Sequence, residues 1–231
     1  MPARLLTLTF DAHDPARLAE FWAGLLGREV IQESGGALLP GDDVQVGLRF
    51  VAADTEKIGR NRVHLHLTSA TPDDQPRTVE AALELGATHL DVGQLPEEEH
   101  VVLADPEGNE LCVIEAGNNF LAGCGFLGEL ACDGTRDVGL FWAEALGWSL
   151  VWDQDDETAI QSPHGGTKVA WGGPPVAPKR GRNRQRFDLT ADDVEAEVER
   201  LVALGATRLG DRDADVELAD PDGNEFGVRP A

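Results

Sequence analysis

The chain has 231 residues, 42% of them hydrophobic and 26% charged, which is enough apolar content to bury a core and argues against a disordered, collagen-like or coiled-coil protein. Its 42 acidic side chains against 19 basic ones leave a formal net charge of −23, a surface that repels nucleic-acid phosphates and anionic membranes. No apolar run reaches the roughly 20 residues of a membrane span, and the start MPARLLTLTF lacks the cationic, long-apolar character of a leader, so a cytoplasmic protein is expected.

Period-two alternation of Leu6, Leu8 and Phe10 predicts a first strand. Asp14 caps a helix that opens with Pro15, carries Leu18, Phe21, Trp22, Leu25 and Leu26 on one stripe and closes at Gly27. Three short strands follow near Glu29–Glu33, Ala37–Pro40 and Val44–Val51. The order then restarts with a strand at Val63, Leu65 and Leu67. A helix carrying Val79, Ala82 and Leu83 ends at Gly86, and strands follow near Thr88–Val92, His100–Ala104 and Glu110–Ile114. After a Gly/Asn-rich stretch the pattern runs twice more. Strand Gly128–Cys132 and helix Asp137–Leu146 lead to strands near Ser149–Asp153, Thr158–Gln161 and Thr167–Trp171. Strand Gln185–Leu189 and helix Val194–Leu204 lead to strands ending in Phe226 and Val228.

The chain repeats itself. Phe21-Trp22 recurs as Phe141-Trp142, and Gly59-Arg60-Asn61-Arg62 as Gly181-Arg182-Asn183-Arg184. Leu85-Gly86-Ala87-Thr88 recurs as Leu204-Gly205-Ala206-Thr207, and Asp105-Pro106-Glu107-Gly108-Asn109-Glu110 as Asp220-Pro221-Asp222-Gly223-Asn224-Glu225. Four matches in the same order are a tandem duplication. It gives a domain over 1–117, a linker over 118–124 and a domain over 125–231. The Asp-Pro-x-Gly-Asn segment suits a tight hairpin turn and needs no further role. Three cysteines, Cys112, Cys124 and Cys132, show no C-x-x-C spacing, so reduced thiols are expected.

Four strand-helix-three-strand (βαβββ) modules with these motifs resemble the vicinal oxygen chelate superfamily, and more narrowly its glyoxalase-like branch. The resemblance implies an α+β fold of two tandem glyoxalase-like domains, each a cup of two modules. It implies no single activity, because the superfamily spans isomerases, extradiol dioxygenases, thiol transferases and bleomycin-resistance proteins. Where its members use a metal, side chains on the first and last strands of each module hold it. On that pattern Thr7 stands at the first position of the first cup, where Thr is a poor ligand, and Val46-Gly47-Leu48 supplies no carboxylate. His64 is a good ligand, and Cys112 follows Glu110 by two residues on the last strand.

Alternation places Val63, Leu65 and Leu67 on the helix-facing side and His64, His66 and Thr68 in the cup. Alignment of the repeats places Arg186 and Asp188 where the first half has His64 and His66, and Glu129 where it has Thr7. Glu129, Arg186 and Asp188 are therefore expected as a self-paired charge cluster in the second cup. Trp152 and Trp171 offer either packing or a stacking surface. The incomplete ligand set predicts no resident cofactor, with a divalent metal at His64 as the alternative.

Three functions compete. The first is a metal-free small-molecule-binding protein of the bleomycin-resistance type, whose acidic surface favours a cationic guest. The second is a metal-dependent lyase, isomerase or dioxygenase using His64 with His66 and Cys112. The third is a non-catalytic dimerisation or interaction module. The expected ligand-binding residues are His64, His66, Cys112, Thr7, Glu129, Arg186 and Asp188; the partner is a small organic molecule, and the chain is a monomer or a homodimer.

Overall fold

The computed structural model describes residues 3–54, 56–95, 97–212 and 215–231, the side chain of Arg212 excepted. Module one is β1 (Arg4–Ala12), α1 (Pro15–Leu26), β2 (Ile31–Glu33), β3 (Gly36–Leu39) and β4 (Gly47–Ala52). Module two is β5 (Val63–Leu67), α2 (Asp74–Glu84), β6 (Thr88–His89), β7 (Val101–Ala104) and β8 (Glu110–Val113). Module three is β9 (Leu127–Cys132), α3 (Arg136–Leu146), β10 (Ser149–Gln154), β11 (Glu157–Gln161) and β12 (Lys168–Trp171). Module four is β13 (Gln185–Ala191), α4 (Val194–Leu204), β14 (Thr207–Arg212), β15 (Asp215–Ala219) and β16 (Glu225–Pro230).

The helix ends follow the predicted chemistry. The Asp14 carboxylate accepts from the Arg17 N–H, Pro15 opens α1, and Gly27 closes it at φ 66°. Thr135 caps α3 and Gly147 ends it at φ 63°. The strands are shorter than the apolar pattern suggests in two places. β4 begins at Gly47 because the Asp42 carboxylate accepts from the N–H groups of both Val44 and Gln45 at 2.8 Å and holds them in a turn. β6 keeps only Thr88 and His89 of the predicted run.

Two eight-stranded sheets result, and each mixes the two halves of the chain. Modules one and four form one, ordered β14-β15-β16-β13-β1-β4-β3-β2; modules two and three form the other, ordered β10-β11-β12-β9-β5-β8-β7-β6. We call them the outer and inner sheets after the positions of their modules along the chain. The expectation that the two modules of one half share a cup fails. In the inner sheet β5 lies between β8 and β9, so the short linker crosses a single strand and leaves module three beside module two. The first strands of modules two and four are repeats of one another and offer equivalent edges, which is why the repeat pattern cannot choose between the pairings.

The modules of one half are tied instead by their repeated motifs. Trp22 Nε1 donates to Asp105 Oδ2, and Trp142 Nε1 to Asp220 Oδ2, each at 3.2 Å. Glu110 accepts from Lys57 and from the Asn61 N–H, as Glu225 does from Lys179 and the Asn183 N–H. The Asp-Pro-x-Gly-Asn turns are therefore the clamps between modules as well as hairpin turns. One continuous apolar core joins both sheets and their helices, with Trp22, Trp142, Trp171, Phe10, Phe50 and Phe226 fully buried. Trp171 packs in this core, while Trp152 is 38% exposed and meets Phe120 edge-on.

Both first strands at the centre of a sheet slip register at matching points. β1 shifts between Leu5 and Thr7 and leaves Leu6 exposed; β9 shifts at Gly128 against His66 and Leu67. A Cβ on Gly128 would stand 2.5 Å from Thr68 Cγ2, so the bulge needs glycine. Among the described residues no helix is long and apolar enough to cross a membrane.

Candidate functional site

Because the sheets mix halves, the predicted site residues regroup. In the inner sheet His66 on β5 stands opposite Glu129 on β9 and beside Cys112 on β8. In the outer sheet Thr7 on β1 stands opposite Asp188 on β13. The structure thus exchanges two residues between the predicted groups. Glu129 joins His64, His66 and Cys112, and Thr7 joins Arg186 and Asp188. The physical cause is the cross-half pairing of the first strands.

The polar face of the outer sheet is occupied by its own charges. Arg186 Nη1 donates to Asp11 Oδ1 at 2.5 Å, Thr9 Oγ1 to Asp188 Oδ2 at 2.6 Å, and Arg229 to Asp188 at 3.2 Å. Thr7 contacts Thr9 at 3.2 Å. Burial pushes the Asp188 carboxyl up, opposed by the Thr9 hydrogen bond and the Arg186 charge. Of the predicted charge cluster Arg186 and Asp188 are together here, but their partners are Asp11 and Arg229, and Glu129 lies on the other sheet.

The polar face of the inner sheet is different. One nitrogen of His64, one of His66 and the Cys112 sulfur all lie within 4.8 Å of one another. The two imidazole centroids are 5.1 Å apart. His66 Nδ1 lies 2.6 Å from Glu129 Oε2, and a neutral His66 donating from Nδ1 to that carboxylate would present its lone pair at Nε2. Nε2 is buried and has no hydrogen-bond partner. Burial and the neighbouring charges of His66, His100 and Arg60 push His64 down to about 3 and keep it neutral. Burial also opposes charge on His66, but the Cys112 sulfur and the Glu129 carboxylate outweigh it and raise the imidazole to about 10.

A carboxylate that orients one imidazole while that imidazole, a second imidazole and a thiol converge is the donor chemistry of a late first-row divalent metal site with its supporting carboxylate. The orphaned Nε2 fits such an ion. Lys168 on β12, opposite Glu129, is a residue that sequence reasoning missed as part of this face; its ammonium bonds the Phe120 carbonyl and lies 4.2 Å from the Phe120 ring centre. The scarcity of Lys in the chain was the available signal.

A cleft of about 550 Å³ opens onto His64 and Cys112. Its walls include Ile58, Val92, Val102, Pro175 and Pro178, and both Gly-Arg-Asn-Arg repeats reach it. Sequence reasoning used those repeats only as markers of duplication. The family model of the glyoxalase-like domain matches both copies of the module pair, over residues 7–114 and again over residues 129–229. The chain belongs to the glyoxalase-like domain family.

Solved structures agree on the fold. Glyoxalase I from Zea mays superposes with a TM-score of 0.71 at 14% identity, covering 99% of this chain and 92% of that one. A candidate dioxygenase from Bacillus subtilis superposes with a TM-score of 0.60 at 16% identity, covering 100% of this chain and 86% of that one. A search of curated proteins gives no match. The glyoxalase-like chain therefore shares its architecture with proteins of different activity, and its own chemistry rests on the inner face.

Proposed function

We propose that this glyoxalase-like protein binds a small oxygen-bearing organic molecule in the inner cleft and acts on it with a divalent metal held by His64, His66 and Cys112. The observation that carries this reading is the convergence of one donor atom each from His64, His66 and Cys112 within 4.8 Å, with Nε2 of His66 buried and unpartnered among the described residues. When bound, such an ion supplies a Lewis acid for a substrate oxygen. His64, kept neutral by burial, presents a lone pair instead of a proton. Glu129 holds the His66 ring in place through Nδ1. The apolar walls of the cleft exclude water around the guest, and three protein donors leave room for a ligand on the cleft side.

Titration of chelator-treated protein with Co(II) tests this. We expect one ion per chain with a thiolate absorption band, and the band disappears in Cys112→Ser. Binding is lost in His64→Ala and weakens about 10–100-fold in Glu129→Gln. Absence of binding in the unmodified protein at micromolar Co(II) would remove the metal from the reading.

One observation favours a second reading. Lys168 brings a cation to the strand position facing Glu129, which suits a metal-free binding protein of the bleomycin-resistance type. Unchanged ligand-induced stabilisation after chelation would select it.

A further inference from the structure

The two Gly-Arg-Asn-Arg repeats give the inner cleft an internal control. In the second copy both arginines are paired with carboxylates: Arg182 with Glu217, and Arg184 with Glu107 at 2.6 Å. Among the described residues neither is in the first copy. Arg60 donates to the Val92 carbonyl at 2.7 Å, and Arg62 donates to Asn224 Oδ1 at 3.3 Å and to the Ala177 carbonyl. Position 180, whose counterpart in the first half is Ile58, carries a third arginine with no hydrogen bond or ion pair among the described residues. Arg60, Arg62 and Arg180 all line the cleft that opens onto His64 and Cys112.

A guanidinium has five N–H donors, and these bonds use one of Arg60's and two of Arg62's. The cleft has two carboxylates of its own. Glu110 is held by Lys57 at 2.6 Å and by the Asn61 N–H, which leaves Asp133 against three arginines. The chain as a whole carries −23, but screening confines that field to about 8 Å at physiological salt, so the charges lining a cleft decide what enters it. Ile58, Val92, Val102, Pro175, Ala177 and Pro178 give the cleft an apolar wall besides its polar residues.

We propose that the cleft selects a carboxylate-bearing small molecule with an apolar body, its acid group held by Arg60, Arg62 and Arg180. The proposal rests on the reading of this cleft as the binding site and narrows its ligand to an organic anion. Arginine suits the task because its planar donors meet both oxygens of a carboxylate. The acid group sits at the arginine rim, which leaves the rest of the molecule to reach His64 and Cys112.

Isothermal titration with three probes of one skeleton tests the charge: phenylacetate, 2-phenylacetamide and 2-phenylethylamine. We expect phenylacetate to bind at least about tenfold tighter than the amide and the amine to bind weakest. The exposed pair Arg60→Gln with Arg180→Gln should bring the acid down to the affinity of the amide and leave the amide unchanged. Arg77→Gln, on the surface of α2, should change neither. Equal affinity for acid and amide, no binding of phenylacetate at millimolar concentration, or an acid preference that survives the double substitution would overturn the proposal. Co(II) titration of the unmodified protein separates the two readings: an intact metal band with no preference for the acid removes the anion and leaves the metal, and an acid preference with no metal band removes the metal alone.

Discussion

The outer and inner sheets are built from the same module and differ in what their polar faces hold. In the outer sheet Asp11, Arg186, Asp188 and Arg229 satisfy one another. In the inner sheet the equivalents of Arg186 and Asp188 are His64 and His66, and one imidazole nitrogen stays without a partner. The outer face must break those pairs before it admits a guest, whereas on the inner face the ion pair of His66 with Glu129 leaves His64 outside it. Duplication has thus given one sheet a self-paired polar face and the other a face where a neutral imidazole stands beside a paired one.

The largest effect that could break this comparison concerns the sheets themselves. Each sheet needs modules from both halves, so neither residues 1–117 nor residues 125–231 should give a folded monomer. Co-expressed halves should assemble into a stable heterodimer, read by light scattering and circular dichroism. A folded, monomeric half would show that modules can pair within a half after all.

Next comes the self-paired face. Arg186→Ala leaves Asp11, which is 2% exposed, with only the longer contact to Arg182 at 4.0 Å, and should cost about 3 kcal/mol in urea unfolding. Arg186→Met with Asp11→Leu removes both charges and should recover most of that loss. His64→Ala in the inner sheet should cost far less, because no ion pair is broken.

The histidines should sharpen the contrast through pH in metal-free protein. His64 is held at about 3 against an ordinary 6.5, so the unfolded chain binds the extra proton between those values. Its contribution is present above pH 6.5 and lost as pH falls toward 3. His66 is raised to about 10, so its contribution is present below pH 6.5 and lost as pH rises toward 10. Opposed limbs around pH 6.5 are expected, and His66→Gln should remove the alkaline one. Denaturation curves across this range give the measurement.

The smallest effect lies at the first residue of β13. Gln185 is 3% exposed with neither amide atom partnered, and its counterpart in the first half is the core residue Val63. Gln185→Val should stabilise the chain by about 1 kcal/mol by removing a buried polar group that lacks a partner.

Much of the fold was legible because its signals are local. Helix caps at Asp14 and Gly27, apolar stripes and turn residues all depend on neighbours in sequence, and the four repeated motifs placed the modules. Module pairing was not legible, because β5 and β13 are repeats of one another and offer the same edge chemistry. That ambiguity carried Glu129 and Thr7 to the wrong groups, although each was recognised as facing a polar interior. His64, His66 and Cys112 were named from alternation and strand position, and their convergence depends on the register of β5 with β8. The arginines of the cleft were visible as a repeat, but the difference in their pairing exists only in three dimensions.

The nesting of the sheets also orders the protein's birth. Module two meets module three as soon as the linker and β9 are made, so the inner sheet closes over a short loop. Module one, synthesised first, must wait for β13, more than half a chain later, before its β1 finds an edge partner. Long-range pairings of this kind form late and leave an apolar strand uncovered meanwhile. On the ribosome the oldest segment is therefore the last to be secured, and the chain closes like a pair of parentheses, from the middle outward.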